Sequence, residues 1–563
     1  MRKFAKVLCT LLCALLGCMG VLGTACSGRN VDDVIKEDAK QIVVGVYLGG
    51  YGSEFVRDIK ADFEAKHAND KFADGTTGVQ LQVVENKNIS TNKLIDNYQS
   101  WEYDLMFSNE GQRIHSMIER DQLLPITDVV TQTLPGENRS IKDKMYASSI
   151  DWATGDDGEI YTIPWTEGGY SLEYDITAFE ENNLYFAENG VDFVTSPDDP
   201  RSKGPDGKTG IVDGKDYTVD DGLPATYDDF FKVCNKMLDC SIIPVAWTGT
   251  FPAYMDAFAA ALYYDYEGSS AVAAGKDVNT FIDTRTTYKG ETDYISGWNA
   301  DGTPQISYET VTNQTANKVF YQPGVYYALD FIERIVDVPE YYTVVAADHI
   351  GTQTEVYYST KKGQTIGFLM DGNWWYNECK SARLDFDDRN PGEAHVYGQL
   401  PFPKAKAGME SPSTFSSQTQ GAMIMSNKYK NDTEKVALVK EIIQILFSDA
   451  GLVNFTQKTN TSAPYNYSMT EEELAVCDPY GQQQYKLHTT ANYAISLRKN
   501  KIALSNLAYT NADGIFETQL YGHNPYSKLR DSGISATDYA KSIVQLRGNA
   551  TTWTTANAPY FEY

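Results

Sequence analysis

From Gln41 onward, short apolar runs alternate with stretches of helical period, and this alternation limits the chain to a small set of folds. Gln41 to Leu48 is rich in Val and is stopped by Gly49-Gly50-Tyr51-Gly52. Ser53 then stands where a helix cap belongs, ahead of Phe55, Ile59 and Phe63 on one helical face. Further strands are expected at Val79 to Val84 and Tyr103 to Phe107, with helices leading to Trp101 and around Gln112 to Arg120. Beyond Pro164 the rhythm returns. Thr226 and Asp229 form a capping box opening a helix through Leu238, followed by the strand Ile242 to Trp247. A helix near Val325 to Val336, strands at Thr365 to Met370 and Gly421 to Met425, and a helix from Glu434 to Phe447 complete the series. Strand alternating with helix predicts α/β layers built on parallel sheet.

Two stretches break the rhythm. Glu188 to Gly222 is dense in Asp, Gly and Pro, and Gly268 to Asn317 in Gly, Thr, Asn and Asp; both read as surface insertions.

The N-terminus fixes the compartment. Arg2, Lys3 and Lys6 precede an uncharged run from Val7 to Leu22, which closes on Gly23-Thr24-Ala25-Cys26-Ser27-Gly28. This is the pattern of a secretory signal. Its small-small-Cys ending resembles a bacterial lipoprotein box, which implies lipidation at Cys26. Leu15-Leu16-Gly17-Cys18 also fits that box but leaves a very short apolar core, and simple cleavage after Ala25 would likewise export the chain. Ser27 to Lys40 is polar and reads as a tether.

Charge and cysteine usage agree with export. Loss of the leader takes the formal net charge from −28 to −31. Such a surface repels nucleic acid and anionic lipid headgroups. Four of the eight cysteines lie in the leader or at its end, and Cys234, Cys240, Cys379 and Cys477 remain, too few for a disulfide scaffold though enough for one bridge. The six histidines are scattered, and none pairs with Cys, His or carboxylate at metal-ligand spacing. The Asp spacing in Glu188 to Gly222 is not that of an EF-hand. No metal and no cofactor is expected.

Several segments together resemble the large extracellular solute-binding proteins that deliver sugars to ABC importers. Asp157-Gly158-Glu159-Ile160-Tyr161-Thr162-Ile163-Pro164 is similar to the family's asp-gly-x-x-tyr-x-x-pro strand, and Ser171-Leu172-Glu173-Tyr174-Asp175 to the strand that follows it, with Asp175 for the usual Asn. Leu223 to Phe230 resembles a helix start, with Tyr227 for Trp, and Gly363 to Trp375 a strand that ends at the cleft wall. Phe447 to Gly451 and Thr459 to Pro464 match the late helix pair and its following Pro. The resemblance runs from Gln41 to about Tyr467. It implies a two-lobed, periplasmic-binding-protein-like α/β fold of type II with a hinge between the lobes. One lobe would hold 41–164 and 416–460 and the other 165–415 and 461–563, with crossings near Pro164, Phe415 and Ser462. It also implies a monomer without catalysis, held at the cell surface, that takes a mono- or oligosaccharide ligand and meets ABC permease subunits. The large second lobe points to an oligosaccharide.

Sugar chemistry selects the candidate site. A neutral sugar offers an apolar face and a rim of hydroxyls, so its site needs aromatic platforms and polar groups that reach the rim. In α/β folds such sites lie beyond the carboxyl ends of parallel strands. Five turns of that kind supply Tyr51; Asn109 and Glu110; Trp165 and Glu167; Trp247; and Asp371, Asn373, Trp374 and Trp375. Each Trp also suits a buried core. The resemblance puts the equivalents of Glu110, Glu167 and Trp374 in the ligand cleft. Two other readings stay open: a binding protein for another solute, such as a peptide or polyol, and a secreted glycoside hydrolase using two of Asp151, Glu159, Glu167 and Asp371.

Overall fold

Apolar strands need cover on both faces, and the chain meets that need twice. A computed structural model describes residues 34–87, 89, 95–108, 114–166, 168–212, 215–216, 218–247, 252–276, 290–343, 356, 364–392, 394–417, 421–495 and 525–547. The Cys26 leader lies outside them.

The first sheet has the order Val79–Asn86, Lys40–Tyr47, Leu105–Ser108, Gly421–Met425, Thr162–Thr166. Its first three strands run parallel, and Gly421–Met425 is antiparallel to both neighbours. The second sheet has the order Tyr342–Thr343, Ile243–Ala246, Ile366–Gly372, Tyr170–Asp175, Tyr397–Gln399. Here too the first three are parallel and the fourth antiparallel to both neighbours. In each case the antiparallel strand is the one that follows an element packed in the other core: Tyr170–Asp175 comes after Thr162–Thr166 of the first, and Gly421–Met425 after Thr414–Ser417, whose Phe415 lies in the second. The strands expected from periodicity are present, shifted by at most two residues at their ends, whereas the segment Asp157 to Pro164 is strand only from Thr162.

Each sheet has its own hydrophobic core. The first gathers Ile42, Val44, Leu81, Phe107, Ile163 and Met423 with Val439 and Ile443 of the helix Thr433–Leu446. Ala463, Tyr465, Tyr467 and Tyr485 also belong to it. The second core packs Leu172, Phe368 and Met370 against the helices Tyr227–Asp239, Pro252–Ala273 and Gly324–Val336.

Local signals explain several boundaries. Thr226 Oγ1 accepts from the Asp229 N–H at 3.2 Å, and Asp229 Oδ2 accepts from the Thr226 N–H at 3.2 Å, a complete capping box. Ser53 behaves differently. Its side chain caps no helix; its hydroxyl donates to Glu85 Oε1 at 2.5 Å, and the segment forms two short helices, Glu54–Arg57 and Lys60–Lys66. The Asp157-Gly158 turn is closed by Tyr161, whose hydroxyl donates to Asp157 Oδ2 at 2.7 Å. The stretch Gly268 to Asn317 is more than a surface insertion. It begins inside the helix Pro252–Ala273 and carries an antiparallel hairpin, Glu291–Trp298 with Pro304–Thr310, in which Thr292 and Asp293 are buried. Cys234, Cys240, Cys379 and Cys477 are all free. Among the described residues no helix is long and apolar enough to cross a membrane.

Candidate functional site

Trp374 marks where the two lobes meet, because it packs against both hydrophobic cores. It follows the strand Ile366–Gly372, whose end places Asp371, Asn373 and Trp374 in succession at the carboxyl edge of the second sheet. The indole folds back over Gly372, where a Cβ would fall 2.3 Å from the ring. Tyr170 meets it edge-on with centroids 4.7 Å apart, and Tyr254 meets Tyr170 edge-on at 5.3 Å. Trp374 is half-buried.

The first lobe approaches this cluster through Gly49-Gly50-Tyr51-Gly52. The Tyr51 hydroxyl donates to Asn373 Oδ1 at 3.0 Å, across the boundary between lobes. The Asn373 N–H in turn donates to the Gly169 carbonyl at 3.3 Å, tying the site to the first crossing. Behind Tyr51 lies Trp165, edge-on at 5.5 Å.

Trp165 itself is a packing residue. It is 2% exposed, stacks on Phe55 at 5.8 Å and donates from its indole N–H to the Ser108 carbonyl at 2.8 Å. Gly421, the first residue after the second crossing, lies so close that a Cβ there would fall 2.1 Å from Trp165 Nε1. Trp247 is fully buried beside Tyr342, and Trp375 is fully buried among Tyr376, Tyr397 and Tyr480. In this conformation none of these three indoles offers a free face to a ligand. Trp165 lies in the strand Thr162–Thr166 and Trp375 opens the helix Trp375–Glu378, and both rings, like that of Trp247, are packed among core side chains. Asn109, Glu110 and Glu167 lie outside the described residues.

Asp371 is completely buried, and its Oδ1 accepts from the Gly372 N–H at 2.8 Å. Burial, reinforced by this carboxylate, pushes the Tyr170 and Tyr254 hydroxyls well above their usual range, so both stay neutral donors. On the other side of Asp371 lies Glu173, 1% exposed, whose Oε2 accepts from the Tyr480 hydroxyl at 3.0 Å. Burial drives the Glu173 carboxyl up to about 8, with the Asp371 charge adding to it against the Tyr480 bond, so it is protonated at neutral pH. Its Oε1 has no partner among the described residues. Asp151 and Glu159 are exposed, and Thr127 donates to Glu159. Among the described residues no group of three or more His, Cys, Asp or Glu side chains is arranged to hold a metal ion.

Tyr170 and Tyr254 escaped the sequence reading. Tyr170 had a signal, since it opens the strand directly after the Gly168-Gly169 crossing. Tyr254 had none, being one apolar-face residue in a long helix.

The arrangement is two α/β lobes joined by crossings, with an aromatic and polar cluster where they meet. No protein-family model and no curated protein matches the chain. Solved structures do match over nearly its full length. A chitin oligosaccharide binding protein is 15% identical, with a TM-score of 0.51, over 92% of this chain and 100% of that one. A protein solved in work on xylan utilization by the thermophilic bacterium Caldanaerobius polysaccharolyticus is 13% identical, with a TM-score of 0.50, over 90% of this chain and 99% of that one. Similarity at this level establishes the fold: the chain has the two-lobed, periplasmic-binding-protein-like fold of type II.

Proposed function

We propose that this chain is an extracellular solute-binding protein that captures a neutral oligosaccharide between its lobes and delivers it to the permease of an ABC importer. The observation that carries this reading is the half-buried Trp374 at the meeting of the two cores, with Tyr170, Tyr254, Tyr51, Asn373 and Asp371 near it. An aromatic face beside fixed hydrogen-bonding groups suits a sugar's apolar face and hydroxyl rim. The likeness to a chitin oligosaccharide binding protein supports the same ligand class. Trp374 is the stacking platform in this reading, and Tyr51, Asp371 and Asn373, with Asn109, Glu110 and Glu167 from neighbouring turns, bind or orient the hydroxyls.

The protein acts as a monomer and a carrier, not a catalyst. The leader ending at Cys26 supplies a lipid anchor, and the tether Ser27 to Lys40 holds the lobes near the permease at high effective concentration. Cys26→Ala then moves the protein from the membrane fraction to the medium; a variant that stays membrane-bound contradicts the anchor.

Melting curves with a panel of neutral oligosaccharides, followed by chromatography of the sugar, test the function. The reading requires a raised melting temperature with the sugar recovered intact. Cleaved sugar contradicts it in favour of a hydrolase, and a rise with peptides or polyols but no sugar contradicts the ligand class.

A further inference from the structure

Two consecutive residues of one lobe touch two consecutive residues of the other. Gly50 lies against Trp374, and Tyr51 donates to Asn373. At Gly50 the contact is steric. A Cβ there would fall 2.3 Å from the Trp374 Cβ, and 3.1 Å from both its Cγ and its carbonyl oxygen. Such a clash involves the root of the side chain and the backbone, so rotating the indole away does not relieve it.

The same turn contains an internal control. Gly50 and Gly52 both have φ of 72°, a left-handed conformation that costs any other residue. Nothing lies within 4 Å of a Cβ at Gly52. Backbone strain is therefore common to the two positions, and the contact across the lobes belongs to Gly50.

We infer that the turn Gly49 to Gly52 is a latch that completes closure of the cleft by direct contact between lobes, with Gly50 as the positioning residue that sets how closely they approach. Closure does not wait for a ligand to bridge the lobes, and the free protein populates the closed form. A population closed in advance raises apparent affinity in proportion, because binding draws on the competent fraction alone. The inference concerns regulation of the site proposed above, but its test uses ligand-free protein and stands apart from the identity of the ligand.

Small-angle scattering of the ligand-free wild type, Gly50→Ala and Gly52→Ala decides it. Gly50→Ala should have a larger radius of gyration than the wild type, whereas Gly52→Ala, with the same φ, should keep the wild-type radius. Combining Gly50→Ala with Trp374→Gly removes the Cβ and Cγ that the new methyl meets, leaving only the 3.1 Å approach to the carbonyl oxygen, and should restore the smaller radius. Equal radii for the wild type and Gly50→Ala overturn the latch, as does equal expansion in both glycine variants. Should Gly50→Ala not fold, Asn373→Ala replaces it, since it deletes the acceptor without touching the turn. An unchanged radius in that variant contradicts the latch.

Discussion

At the scale of the residue, the four indoles placed at strand-to-helix turns have divergent tasks. Trp165 is wedged among Tyr51, Phe55, Phe107 and Phe455 and is pinned to the Ser108 carbonyl. Trp165→Ala should therefore cost about 3–5 kcal/mol in denaturant unfolding; a loss within the noise of a surface substitution contradicts its core role. Glu173 supplies a pH signature. Its carboxyl titrates near 8 when folded against an ordinary value of 4.5, so between these values the folded state holds a proton that the unfolded chain has released. Stability should fall as pH rises from about 4.5 to 8 and level off above. Melting temperatures across that window should decline less steeply in Glu173→Gln, and parallel slopes would exclude Glu173 as a source. Trp374 was legible in sequence because polar Asp371 and Asn373 flank it at a strand end. The inward aim of Trp165, Trp247 and Trp375 was not, since an indole after a strand reads alike whether it faces a cleft or a core.

At the scale of the element, buried ion pairs secure the approach to the second crossing. Lys404 donates to Asp265 at 2.8 and 3.1 Å with both side chains almost fully enclosed, and Asp265 also accepts from the Thr414 N–H at 2.9 Å. This joins the helix Pro252–Ala273 to the strand Thr414–Ser417, the last described element before Gly421–Met425 of the first sheet. Lys404→Met leaves the Asp265 carboxylate buried without its cation. The expected loss is about 3–5 kcal/mol, measured by urea unfolding; a neutral outcome means that Asp265 takes up a proton at no cost. Strand and helix positions were readable because hydrophobic period and capping chemistry are local. The Thr226–Asp229 box is the clearest example. Ser53 misled because its hydroxyl is claimed by Glu85, 32 residues away. The hairpin within Gly268 to Asn317 was hidden because the stretch's Gly, Thr, Asn and Asp content reads as loop, while the burial of Thr292 and Asp293 depends on tertiary contacts.

At the scale of the whole molecule, each sheet borrows its antiparallel strand from a chain that has just arrived from the other lobe. The first sheet is therefore built from two separate segments, whereas all five strands of the second lie between Tyr170 and Gln399. The alternation of strand and helix announced the two α/β layers, and the resemblance supplied their division. Tyr465 and Tyr467 join the first core by burial, and Tyr465 donates to the Pro164 carbonyl from 301 positions away, contacts that no local sequence pattern carries. Ligand recognition at the seam can be tested in isolation at Trp374, by isothermal titration of chito- and xylo-oligosaccharides into the wild type and Trp374→Ala. Saturable one-to-one binding of at least one sugar is expected, weakened at least tenfold, about 1.4 kcal/mol, in the variant, while the ligand-free variant stays folded. Absence of binding throughout both series, or equal affinity in the two proteins, would contradict it.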